Sequence, residues 1–536
     1  MAESGVFLRK ASGLVRDWSL FDALAFQSWS QPLIGPIFMF SMALWWPGAN
    51  MVLSLIWLMI FSTFQVGVYT LMVVNMPRAG ADYVWQSRTL NPLLAFVMNF
   101  PSWMFITIFW VPWNTYVYGL SYISPMLVLM GQSVESANWW SGNDYIYIMS
   151  VVCMIITGLL ASFGLKLYAK VQKVLYWLAL IGAVIVMITL GLSSSSAFIA
   201  GHNAFYTEQL GYAGSNAYQD IIQAAKDQGF GANPVNWDMM KALPLLPLNL
   251  MWGLWPTWAA PMYGEVRGVK DVKKTYLSFQ MANIPLNIMN IIIILGIWNV
   301  AGNEFFQSAN YLFWMGDTTH MPLFPSVPLW VFFVTGSAAL TIFVLFFNMA
   351  FYFLLNGAAN TYLVISRFMF AASYDQALPS WFAELKTRWR IPVYTFAYCF
   401  LVMLVMGYIY AYNLFGFKSL FLDAAFCFLG TFCMTAVAAI VLPFRRKNIF
   451  EASPAAKYKI GGIPLQAIFA VLFIGMSIYV FYAWVVDPLY GVNSMSSVPF
   501  LIFMYTLGAI IFTAFWFYRR SKGIDLALTY QQLPPD

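Results

Sequence analysis

The stretch Gln27-Ser28-Trp29-Ser30-Gln31-Pro32-Leu33-Ile34-Gly35-Pro36 decides how the rest of the chain is read. It lies inside an apolar run of membrane-spanning length, yet it packs two prolines and a glycine into five residues. Each proline lacks a backbone N–H, and its ring clashes with the carbonyl one turn back. Gly35 admits backbone angles that a helix does not need. A helix cannot pass through this segment undisturbed. In lipid, the freed N–H and C=O groups are costly unless they face protein, water or a ligand. The break is therefore either filled by neighbouring helices or used as a binding site.

The composition sets the class. Of 536 residues, 61% are hydrophobic and 9% charged, where soluble domains carry about 25% charged residues. This is an all-α polytopic membrane protein. Roughly twenty apolar residues make a span, and twelve runs qualify: 19–44, 50–74, 92–122, 145–163, 171–192, 242–264, 276–300, 328–356, 393–412, 418–442, 463–486 and 498–518. With a cytoplasmic N-terminus, all 27 lysines and arginines except Lys226, Lys241 and Lys418 fall on inner segments or their edges. The positive-inside rule then places both termini in the cytoplasm of a multi-pass protein of the cell membrane.

That distribution accounts for the net charge of +6 without a nucleic-acid partner. Cys153, Cys399, Cys427 and Cys433 sit in apolar runs and read as small buried hydrophobes. His202 and His320 lie far apart in polar loops, so no metal site or cofactor is expected. No signal-peptide pattern precedes the first span. The long polar loop 193–241 includes one stretch of helical character, Asn216–Gln228.

A second run is interrupted like the first. Span six contains Pro244, Pro247, Gly253, Pro256 and Pro261. Pro244 and Pro247 fit a first helical turn, but Pro256 lies near mid-depth. Spans one and six are five apart. An odd offset inverts the second copy of a five-span unit, which gives an inverted repeat with two discontinuous helices meeting at the midplane. Free N–H groups at a half-helix start attract a carboxylate, and free carbonyls at the other half's end attract an ammonium. An α-amino acid offers both. No Asp, Glu, Lys or Arg lies in either break. The candidate substrate contacts are Ser28, Ser30, Gln31, Ile34 and Gly35 in span one, Trp252, Gly253 and Trp255 in span six, and Asn114 in span three. Trp29 and Trp258 could pack or stack on a cation.

Three motifs carry a resemblance. Gly13-Leu14-Val15-Arg16-Asp17-Trp18-Ser19 with Asp22 precedes and opens span one. Met76-Pro77-Arg78-Ala79-Gly80-Ala81-Asp82-Tyr83 follows span two. Ser366-Arg367 and Asp375-Gln376-Ala377-Leu378-Pro379 lie between spans eight and nine. Together with the weaker Gly264-Glu265-Val266, they resemble the amino acid–polyamine–organocation superfamily of permeases. The resemblance covers about residues 8–445. It implies a five-plus-five inverted repeat with two peripheral C-terminal helices, and alternating-access transport. The repeats would be 1–192 and 242–442, separated by the extracellular loop 193–241. Peripheral spans 443–518 and a cytoplasmic tail 519–536 would follow. The chain departs from the family where Ser30-Gln31-Pro32-Leu33-Ile34-Gly35 replaces a glycine-rich break, and where Trp255 replaces a smaller residue. Ala179 stands near the lysine that some members use for proton coupling.

Polar residues inside other spans complete the candidates. Hydroxyls of Thr335, Ser337 and Thr341 in span eight resemble those that hold Na⁺ in sodium-coupled relatives. Asp423, within span ten, is the intramembrane acid and a second ion-coupling candidate. Asn283, Asn287 and Asn290 share one helix face, suited either to a pathway or to hydrogen bonding between helices. Gln65 lies in span two. Asp22 suits capping or pairing with an arginine. The reading is a non-enzymatic transporter of an amino acid or related amine, coupled to H⁺ or Na⁺ or working by exchange. The alternatives are a polyamine or other organic-cation transporter on the same scaffold, and a membrane sensor.

Overall fold

The computed structural model describes residues 14, 16–30, 35–351, 358–385 and 391–533. The chain is 77% helical, because in lipid a helix alone satisfies the backbone of a single segment. The first half contains α1 (Leu20–Ser30), α2 (Gly35–Phe40), α3 (Met51–Asn75), α4 (Ala81–Thr89), α5 (Pro92–Leu129), α6 (Asn143–Ser162), α7 (Leu165–Leu192), α8 (Ser195–Glu208), α9 (Ala217–Asp227) and α10 (Leu245–Gly253). The second contains α11 (Val272–Val300), α12 (Asn303–Trp314), α13 (Val327–Thr335), α14 (Ala338–Phe351), α15 (Ser366–Tyr374), α16 (Val393–Ala411), α17 (Leu414–Arg445), α18 (Leu465–Val486), α19 (Ser497–Ser521) and α20 (Leu526–Gln531).

Among the described residues, nine of these runs are long and apolar enough to cross a membrane: α3, α5, α6, α7, α11, α16, α17, α18 and α19. They fall on nine of the expected spans, with ends moved by a turn or two. The other three expected spans behave differently. In the first, α1 and α2 flank residues 31–34, which lie outside the described residues together with the candidates Gln31 and Ile34. In the sixth, α10 stops at Gly253 and gives way to tight 3₁₀ turns at Trp255–Thr257 and Ala260–Glu265. The eighth corrects the expectation of one run over 328–356. Gly336 adopts φ +63° and ends α13, its N–H bonded to the Phe332 carbonyl at 2.7 Å. A glycine in this left-handed position is a common helix stop. Ser337 Oγ then accepts from the Leu340 N–H at 3.2 Å, as an N-cap does.

α3 lies at the centre, packed on α10, α11 and α18, while α17 packs on α5, α18 and α10. The expected helix in loop 193–241 forms as α9. Asn216 caps it, and Tyr218, Ile221, Ile222 and Ala225 are buried. α9 packs on α12 and α8, and α8 packs on α13. The α8–α13 contact is close: a Cβ at Gly201 would fall 1.9 Å from the Phe333 carbonyl oxygen. Gly201→Val is therefore expected to cost about 1–3 kcal/mol, since inserted atoms must push backbone apart. Thermal unfolding of the purified variant checks this, and an unchanged midpoint would contradict the packing.

Candidate functional site

Span six supplies the best-defined interruption. When a helix stops, its last carbonyls lose their partners. Here α3 supplies substitutes. Ser62 Oγ donates to the Gly253 carbonyl at 3.0 Å. Gln65 Nε2 donates to the Leu254 carbonyl and to Thr257 Oγ1, both at 2.9 Å. Each carbonyl keeps a second lone pair, but neither is left bare, as a site built on free carbonyls would have it. Gly253 is needed for the close approach, because a Cβ there would lie 2.1 Å from Leu58 Cδ1.

Tryptophans wall the interruption. Trp252 meets Trp113 with ring centroids 4.8 Å apart, and Trp255 meets Trp110 at 5.0 Å. Trp255 and Trp258 both stand edge-on to Phe428 of α17. Trp255 Nε1 donates back to the Met251 carbonyl at 2.7 Å, which fixes the ring over the end of α10. Two π-helical turns interrupt α5, Ile106–Trp110 and Gly119–Ile123; Trp110 ends the first, and Trp113 and the candidate Asn114 stand between them. π-turns inside helices frequently mark functional sites. Asn114 Nδ2 donates to the Trp110 carbonyl at 2.5 Å. Its Oδ1 and the Trp110 indole N–H are buried without a hydrogen-bond partner. Trp110 and Trp113 were not anticipated; a proline at 112 inside an apolar run was the only hint.

The helices on either side of residues 31–34 reach the interruption after α10. α1 packs on the Trp255–Thr257 turn, and α2 packs on α10. Beyond them the chain is stitched. Trp18 N–H donates to the Glu265 carbonyl at 3.1 Å, and Arg267 N–H donates to the Trp18 carbonyl at 2.8 Å, a short parallel bridge. Glu265 in turn forms a bidentate pair with Arg367, at 2.7 and 3.0 Å, with both side chains buried. Asp22 accepts from the Ser19 N–H and hydroxyl and pairs with Lys173 at 2.9 Å, so its cation is a lysine of α7.

The other candidates are held by local partners or tie helices together. Ser28 is buried and its hydroxyl donates to the Leu24 carbonyl at 2.7 Å. The backbones of Ser30 and Gly35 end α1 and open α2. The hydroxyls of Thr335 and Thr341 donate to the Val331 and Ser337 carbonyls of their own helices. Thr335 is exposed, and with Ser337 it belongs to the α13–α14 junction rather than to the middle of a helix. Asp423 is buried and accepts from Ser497 Oγ at 2.6 Å, which ties α17 to α19. Asn287 and Asn290 bond their own helix, and Asn283 reaches the Met59 carbonyl and Thr63 of α3. That face is a helix interface.

No protein-family model matches the chain, and no curated protein matches it in sequence.

Proposed function

We propose that this chain is a secondary transporter of amino acids that works by alternating access. In this reading twelve spans cross the cell membrane, both termini face the cytoplasm, and the first ten form the five-plus-five inverted repeat. The carrying observation is that the Trp255–Thr257 turn and α10, on either side of the span-six interruption, pack on α1 and α2, which flank the Pro/Gly segment of span one. Discontinuous helices meeting in this way are where such transporters bind substrate and coupling ion. The wall of tryptophans also favours a second reading, an organic-cation transporter, because indole faces attract cations.

Reconstituted protein offered a panel of amino acids and organic amines separates the two. Uptake or exchange of an amino acid supports the first reading. Selective uptake of amines supports the second. Silence across the panel beside an active control overturns both.

A further inference from the structure

Five carboxylates are buried among the described residues. Glu265 and Asp375 each have an arginine, Arg367 and Arg88, and Asp22 has Lys173. Asp423 accepts from Ser497 near the start of a helix. Asp82, in the first turn of α4, likewise has no cation among the described residues, and it lies outside the long apolar runs. Its Oδ1 accepts from the Tyr69 hydroxyl of α3 and, at 2.6 Å, from the Thr435 hydroxyl of α17. Thr435 Oγ1 accepts in turn from Gln86 Nε2 at 2.9 Å. Burying a carboxylate without a cation favours its protonated form, while hydroxyl and amide donors favour its charged form. These opposed pressures hold the group where both forms are accessible: burial pushes Asp82 up to about 6, against the pull of Thr435, Tyr69 and its own amide.

Among the described residues no ion pair reaches Asp82, whose side-chain partners are the Tyr69 and Thr435 hydroxyls. α3 carries no ionisable residue besides Tyr69, and the Pro92–Phe105 part of α5 carries none. On α17 the nearby groups are Cys433, which acts on Tyr69, and Arg445, whose guanidinium donates to the Thr89 and Leu90 carbonyls at the far end of α4. Tyr263 and Glu265 of the turn after α10, Arg367 and Tyr374 of α15, and Tyr530 of α20 lie on elements packed against α4. Of these, Arg367 is taken by Glu265 and Tyr530 by Tyr83. On α4 itself, Arg88 is taken by Asp375. Desolvation and hydrogen bonds alone act on Asp82.

Two stripes connect this acid to the interruption. Ser62, Gln65 and Tyr69 lie at i, i+3 and i+7 on one face of α3; the first two hold the end of α10 and the third holds Asp82. Phe428, Phe432 and Thr435 make the matching face of α17, touching Trp255 and Trp258, then Tyr69, then Asp82.

We propose that Asp82 is the proton site of this protein, taking up and releasing one proton in each transport cycle. The proposal rests on the transporter reading above. A proton from water binds the carboxylate and makes a neutral carboxyl. Two charge-assisted bonds across α3, α4 and α17 become weaker neutral ones, which loosens the grip on both stripes. Releasing the proton to the other side restores them.

Asp82→Asn tests this by two routes. In proteoliposomes an acid-outside gradient should raise wild-type substrate accumulation at least tenfold. The variant should lose that response while still exchanging internal for external substrate. On purified protein, without transport, an infrared band of a protonated carboxyl should titrate between about pH 5 and 7. In an Asp423→Asn background, which removes the other buried carboxylate that has no cation among the described residues, the band should persist. It should vanish when Asp82→Asn is added, and move to higher pH with Tyr69→Phe, which removes one donor to the charged form. A band that survives Asp82→Asn in that background overturns the proposal whatever the transport result, and so does full gradient-driven accumulation by Asp82→Asn. A wild-type protein that moves nothing but shows the band refutes the transporter reading and with it the coupling role.

Discussion

Arg367→Ala is expected to destabilise the folded protein by about 3–5 kcal/mol, the cost of leaving a buried carboxylate without its cation. The variant strands Glu265, whose two oxygens both accept from the Arg367 guanidinium. Glu265 also belongs to the backbone bridge to Trp18, so the loss spreads to the joint between the segment before α1 and the turn after α10. The double variant Glu265→Gln/Arg367→Met is expected to recover most of the loss, because a buried ion pair adds little beyond a neutral, well-packed replacement. Denaturation of the purified proteins in detergent measures both. A single variant no less stable than the double one would contradict the account.

Gly253→Ala is expected to lower substrate uptake at least tenfold, which corresponds to about 1.4 kcal/mol. The added Cβ would meet Leu58 within 2.1–2.8 Å, so either Leu58 leaves its rotamer or the end of α10 moves off α3. Either change disturbs the carbonyls that Ser62 and Gln65 hold. The double variant Leu58→Ala/Gly253→Ala is expected to regain uptake, because it removes the colliding atoms. Failure to regain it, with normal expression, would mean that Gly253 is needed for backbone freedom rather than for space.

Proline and glycine made the interruption after α10 legible from the sequence. Pro256 and Gly253 act on their own backbone, so the end of α10 could be read without a structure. The nine long runs were legible for the same reason: apolar length is a local property. Tertiary partners were not. Nothing in the sequence says that Ser62 and Gln65 face the carbonyls of Gly253 and Leu254. Nor does it say that Trp110 and Trp113 turn toward span six, because a π-turn has no compositional mark. Gly336 was legible in principle, since Thr335-Gly336-Ser337 holds a helix stop followed by an N-cap. The hydroxyls of Thr335 and Ser337 suggested an ion site, and in the structure they bond backbone groups of the α13–α14 junction. Asp82 was quoted only as part of a loop motif, because its lack of a cation emerges only once α3, α4 and α17 are assembled.

Under the proposed function, substrate sits where α1 and α2 meet the interruption after α10. A single cysteine at Gly35, in a background with Cys153, Cys399, Cys427 and Cys433 replaced by alanine, tests it most directly. In reconstituted protein, a transported amino acid is expected to slow labelling of that cysteine by a small water-soluble thiol reagent at least fivefold, and an amino acid that is not transported is expected to leave it unchanged. Equal labelling with and without a transported substrate would place the binding site elsewhere.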